Sequence, residues 1–287
     1  MNKATKSKID FGFNSEEFTG SVDIMPVAQF INPVRCSHWG IGIKYAQGQA
    51  AGFLPDDTWQ LVDHEFSDDT IEKIYLCQTP RLVVLNRSGA LMSDNTQIVS
   101  YDANKKGKGW KSFSYIVVWF LNKDNQPLSQ IPFRLKCTGQ AGVTFNKNYN
   151  HYYTQECFTK KFLQVYQDLT GDKTPKNQLF FTHAVYLPKL IKGKAVNKTS
   201  GQSSPACLTE GYCVPTPDNF ASLIVKNGTK LSDRIKEAIE LTSGWINISN
   251  INKELEKVEK PISSSTPKPD RVEEMLEETS SLDAIPF

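Results

Sequence analysis

The side chains that could carry out chemistry fall into a few groups. Asp63, His64, Glu65, Asp68 and Asp69 stand close together in the sequence, and carboxylates at that density can hold a divalent metal that activates water for phosphodiester hydrolysis. The same composition describes a solvated acidic turn, and this is the preferred reading because acid-rich clusters are far more often turns than metal sites. Cys36-Ser37-His38, with Cys207 and Cys213, offers softer ligands. The paired close spacings of structural zinc sites are absent, so no metal is expected. Gly107-Lys108-Gly109 lacks both the spacing and the hydroxyl of a phosphate-cradling loop, and no nucleophile-elbow motif occurs. These residues predict a protein that is not an enzyme and uses no cofactor, with a metal-dependent nuclease as the alternative.

Binding chemistry has better candidates. Single-strand binding needs cations that track phosphates and rings on which bases stack. Lys105, Lys106, Lys108, Trp110 and Lys111 have this composition, as do Lys147, Tyr149 and Tyr152 in the run from Phe145 to Tyr153. Arg134 and Lys136 alternate with Phe133, Leu135 and Cys137, which places both on the face of a strand turned away from the apolar side. Some of the rings could instead close the ends of a barrel.

Charge is distributed unevenly. The net charge is +2, but from Glu254 to Phe287 nine acids oppose four bases, so this segment carries −5 and the remainder +7. A basic body joined to an acidic end suits a polyanion binder whose tail competes for its groove or recruits partners. The end itself, Asp283-Ala284-Ile285-Pro286-Phe287, pairs an acid with two apolar anchors separated by a rigid proline and a carboxylate on Phe287, which is a peptide another protein can read.

This ending resembles that of bacterial and phage single-stranded DNA-binding proteins, whose acidic tails close in Asp-Ile-Pro-Phe. Here Ala284 stands where the commonest form has an acid. The resemblance implies a role in DNA replication, recombination or repair, with single-stranded DNA as one partner and replication or recombination proteins docking on Asp283, Ile285, Pro286 and Phe287 as others. It also implies a bacterial cytoplasm, with the protein nucleoid-associated or encoded by a phage or plasmid. A homo-oligomer is compatible with it. An adaptor that carries the tail without holding DNA is a further alternative. The body is similar to a cyanobacterial domain family without assigned function, through Met25-Pro26 to Ile31-Asn32-Pro33, Gly52-Phe53-Leu54-Pro55-Asp56-Asp57-Thr58-Trp59 and Thr79-Pro80-Arg81-Leu82-Val83-Val84-Leu85.

The elements that must position these residues read as mainly β with helical additions, an α+β chain. At 287 residues and 39% apolar composition the chain can bury a sizeable core. No apolar run approaches the roughly 20 residues of a membrane span, the N-terminus has no secretory pattern, and six scattered cysteines suit reduced thiols. Residues 1–20 are expected to be a flexible basic arm with Lys3, Lys6 and Lys8, 21–250 a nucleic-acid-binding domain, and 251–287 a disordered linker and docking tail. Within the domain, Trp39, Ile41, Ile43 and Tyr45 alternate with Gly40, Gly42 and Lys44 as one strand. Phe113 to Leu121 is apolar on both faces and predicts a central strand. It returns after a turn at Asn122 to Pro127 as Ile131 to Cys137. Phe158, Phe162, Val165, Tyr166 and Leu169 predict a helix capped by Thr154 and stopped at Gly171. Lys189 to Pro205 reads as a mobile basic loop. An oligonucleotide-binding-type barrel or a curved sheet is the expected architecture.

Overall fold

In the computed structural model, residues 25–34, 36–105, 108–150, 156–196 and 201–258 are described. The strands and helices are β1 (Val27–Ile31), β2 (Gly40–Lys44), α1 (Tyr45–Ala50), β3 (Trp59–Glu65), β4 (Ile71–Cys77), β5 (Leu82–Arg87), β6 (Leu91–Ser93), β7 (Ile98–Ser100), β8 (Lys111–Phe120), β9 (Phe133–Thr138), α2 (Gly139–Tyr149), α3 (Phe158–Thr170), α4 (Gln178–Phe181), β10 (Val185–Tyr186), β11 (Pro188–Val196), β12 (Ser203–Tyr212), α5 (Lys230–Thr242) and α6 (Ile248–Val258).

A single mixed sheet organises the body, in the order β10-β5-β8-β9-β1-β2-β4-β3, with the β6–β7 hairpin attached to β8. Two antiparallel halves meet at the seam between β1 and β9, which run parallel with Val27 opposite Arg134 and Gln29 opposite Lys136. β8 lies inside the sheet, between β5 and β9, because nearly every residue from Ser112 to Phe120 is apolar or small and both its faces are covered. Among the described residues the outer strands β10 and β3 do not pair with each other, so the sheet is open and the barrel alternative is not realised.

Both faces of the sheet are covered, and this decides the fate of the predicted site. On one face Ala28, Ile41, Ile43, Val84, Ile116, Val118, Phe133 and Leu135 pack with Phe145 and Tyr149 of α2, Phe158 and Phe162 of α3, and Cys207 and Tyr212 of β12. On the other, Val83, Leu85, Val117, Trp119 and Val185 meet Leu231, Ile235 and Ala238 of α5. Leu91, Ile98, Phe113 and Tyr115 meet Ile251 of α6 further along. Each large apolar side chain so buried contributes roughly 1.5–3 kcal/mol.

Several local expectations change. Ile41 and Ile43 are buried as the alternation requires, but the strand stops at Lys44 and Tyr45 opens α1. The two glycines of β2 lie against neighbouring protein: a Cβ at Gly42 would lie 2.5 Å from Ile31 Cγ1, and one at Gly40, whose φ is +141°, 2.4 Å from the Cys77 carbonyl oxygen. α3 ends at Gly171 in the left-handed conformation as predicted, but its N-cap is Cys157, and Thr154 lies outside the described residues. The supposed basic loop from Lys189 is ordered as β11 and pairs with β12. α6 carries the folded body past residue 250, since Ile251 is buried and the Asn252 amide both accepts from and donates to the Ile98 backbone at 2.7 and 2.8 Å.

Candidate nucleic-acid interface

Arg134 and Lys136 do share a face of β9, but that face is not open. Arg134 is only 5% exposed. Its guanidinium lies 4.4 Å from the Tyr115 ring centroid and donates to the Trp245 carbonyl at 3.3 Å, between the sheet and the segment joining α5 to α6. Lys136 is half-buried with its ammonium 5.3 Å from the Phe113 ring centroid. Burial, with Arg134 and Lys111 beside it, pushes Lys136 below the usual lysine range. Alternation correctly separated these cations from the first core, but a second apolar layer under α5 and α6 occupies the side to which they turn.

Tyr149 is a second correction. It is the last residue of α2 and 1% exposed, in ring contact with Phe158 and Tyr186 at 6.1 and 5.2 Å between centroids. No base can reach it. Ala141, Phe145 and Tyr149 recur every four residues along the buried side of α2, a helical signal in a stretch whose polar residues suggest a flexible segment. Tyr152 and Lys106 lie outside the described residues, as do Asp283, Ile285, Pro286 and Phe287.

Two exposed basic surfaces stand out. The first surrounds Trp110, just before β8. Its ring is half-buried with the Lys105 ammonium 4.2 Å from its centroid, while Lys108 and Lys111 are exposed on either side. A cation above one ring face leaves a platform already biased toward an anionic strand.

The second is the β11–β12 hairpin. Its inner half is fixed to α2, where Asn148 donates to the Thr209 carbonyl at 2.9 Å and the Thr209 N–H donates to Thr144 Oγ1 at 3.0 Å. The Cys207 N–H donates to Asn32 Oδ1 at 2.9 Å, and the Tyr212 hydroxyl donates to the Glu156 carbonyl at 2.7 Å. Toward the turn, Lys192, Lys194, Val196, Ser203 and Pro205 are exposed, so the ribbon leaves the body and enters solvent. Lys189, Lys192 and Lys194 are exposed along β11, and Lys147 is exposed on the helix beneath. Lys192 and Lys194, two residues apart on a strand, project from one side. Sequence composition marks these lysines as basic, and the two-residue spacing is the signal that a strand carries them.

The remaining candidates separate cleanly. Among the described residues the potential metal ligands that converge are Cys36, His38 and His64, with their ligand atoms all within 4.8 Å of one another. Burial first, then the neighbouring His38, hold His64 below the usual histidine range, while Glu65 acts in the opposite sense. The acidic run does not converge. Asp63 and Glu65 alternate with His64 along β3 and so take the opposite face, and Asp68 closes a turn by accepting from the Thr70 N–H and hydroxyl at 3.2 and 2.7 Å. A pocket of about 270 Å³ lined by Val27, Gln29, Gly42, Lys44 and Gln47 opens beside the β1–β9 seam, and its one cation is paired with Glu72 at 2.6 Å.

No helix among the described residues is long and apolar enough to cross a membrane. Comparison with known proteins finds a similar chain in "Uncharacterized protein 254L" of Invertebrate iridescent virus 6, 26% identical over 194 residues, which cover 63% of this chain and 55% of the viral protein. The chain therefore spans about half the length of this curated relative. No solved structure matches. A family model described as a domain of unknown function, DUF5895, matches residues 22–258, the whole sheet with its covering helices, and the chain belongs to that family.

Proposed function

We propose that the protein binds single-stranded DNA without cleaving it and serves DNA replication, recombination or repair, with its C-terminal segment recruiting partner proteins. The observation that carries this reading is the β11–β12 ribbon, which holds Lys189, Lys192 and Lys194 exposed on an arm anchored to a body of net positive charge. The half-buried Trp110, flanked by Lys105, Lys108 and Lys111, supplies a stacking surface. The strand is held by these exposed cations, not by Arg134 or Tyr149. Asp283, Ile285, Pro286 and Phe287 provide the acid and apolar anchors for partner docking, by the likeness of this ending to single-stranded DNA-binding proteins.

The test is a titration of tryptophan fluorescence with an oligothymidine and with a duplex of equal length, each repeated in magnesium. Saturable binding to the single strand without degradation supports the proposal. Cleavage in magnesium would replace it with a nuclease, and failure to bind any nucleic acid would leave an adaptor. A two-stranded ribbon also fits a duplex major groove, so tighter binding to the duplex would replace the single-strand reading with recognition of double-stranded DNA by β11–β12.

A further inference from the structure

We propose that Cys36, His38 and His64 form a binding site for zinc or a chemically similar divalent transition metal, held by one thiolate and two imidazoles. The three residues come from two places. Cys36 and His38 lie on the loop between β1 and β2, and His64 lies on the outer strand β3. The loop starts with a fixed turn, in which the Val34 N–H donates to the Asn32 carbonyl at 2.9 Å and the Asn32 side chain is tied to the backbone of β12. Further along the loop the Cys36 thiol sits 3.1 Å from His64 Nδ1. The His64 ring is itself oriented edge-on against Phe66, 4.7 Å between centroids.

Geometry and chemistry both fit a metal. Zinc–sulfur and zinc–nitrogen bonds of about 2.3 and 2.0–2.1 Å place neighbouring tetrahedral ligand atoms roughly 3.3–3.6 Å apart. One pair here, at 3.1 Å, is already that close, and the 4.8 Å limit on the others leaves at most about 1.5 Å of contraction. His38 Nδ1 is buried without a hydrogen-bond partner, an unfavourable condition that coordination through this nitrogen would relieve. A thiolate with two imidazoles suits zinc, cobalt or copper and disfavours magnesium and calcium, which require oxygen donors. Cys36 is half-exposed, so a fourth position can take water. The site would fasten the β1–β2 loop to the outer edge of the sheet, remote in the strand order from β8 and Trp110.

The experiment uses the full chain, stripped with a chelator and reloaded with Co²⁺. One equivalent per chain should bind, with the intense visible bands of four-coordinate cobalt and a near-ultraviolet thiolate-to-cobalt band, and zinc should displace it. Cys36→Ser should abolish the thiolate band. His64→Ala should weaken binding of the ion about tenfold or more, with circular dichroism reporting whether it remains folded. Cys36 sits on a loop and is half-exposed, so its variant tests the site independently of His64. Cys213→Ser, a half-buried thiol outside the cluster, should leave the spectrum unchanged. No stoichiometric binding of either ion, or a thiolate band that survives Cys36→Ser, would overturn the site.

Discussion

The rings and cations of the basic segments differ in what their neighbours allow, and substitution should separate them. Trp110 is half-buried beside Lys105. Trp110→Ala should weaken single-strand binding by about 1–3 kcal/mol, the usual value of a base stack, and leave thermal unfolding nearly unchanged. Tyr149 should behave oppositely. Its hydroxyl is buried without a partner, and burial pushes its ionisation well above the usual tyrosine range. Tyr149→Phe removes only that unsatisfied group, so stability should hold or rise by up to about 1 kcal/mol. Tyr149→Ala should cost about 3–5 kcal/mol through the cavity it leaves, and neither variant should alter DNA affinity per folded molecule. Arg134→Ala should lower the melting temperature by roughly 4–8 °C, corresponding to about 2 kcal/mol, because its stem and charge are packed between Tyr115 and Trp245. Thermal melts of each variant beside its binding isotherm distinguish these cases. The misplacement of Arg134 has a specific cause: alternation tells which side of a strand a residue takes, but not whether another layer covers that side.

At the scale of elements, strong periodicity was legible and weak or mixed periodicity was not. β8 declares itself by being apolar on both faces, and α3 by its three- and four-residue spacing with Gly171 at its end. α2 was hidden because its Asn and Lys residues mask the recurrence of Ala141, Phe145 and Tyr149. β11 was hidden because three lysines and a glycine interrupt its apolar positions, and the contacts that fix its partner β12 to α2 appear in no local pattern. The site followed these limits: the basic composition was visible, but which cations stay in solvent was set by packing. α6 can be tested separately. Asn252 joins it to β7 through both backbone polar groups of Ile98. Asn252→Ala should cost about 1–3 kcal/mol by leaving those groups unpaired, and hydrogen exchange should speed locally at β6 and β7. Unchanged exchange there would show that α6 does not hold this hairpin.

Across the whole molecule, the division between a +7 body and a −5 segment from Glu254 onward sets the direction of two effects. Removing residues 270–287 deletes the acids at 270, 273, 274, 277, 278 and 283 and the base Arg271. Affinity for a single strand should therefore hold or rise modestly at low salt, and the gain should shrink as screening shortens to roughly 8 Å at physiological ionic strength. Capture of replication proteins should be lost with the same deletion, and removal of Phe287 alone should weaken it strongly by taking away an aromatic anchor. Pull-downs paired with binding isotherms check both halves. In the proposed reading, DNA binding itself depends on the ribbon. The sharpest measurement is the salt dependence of oligothymidine binding for the wild type and for a Lys189→Gln, Lys192→Gln, Lys194→Gln triple variant with an unchanged melting temperature. If the three lysines each neutralise a phosphate, affinity should fall and the log–log salt slope should become shallower by about 2, at roughly 0.7 per contact. Equal affinity and an equal slope in the two proteins would mean that β11 does not hold the strand.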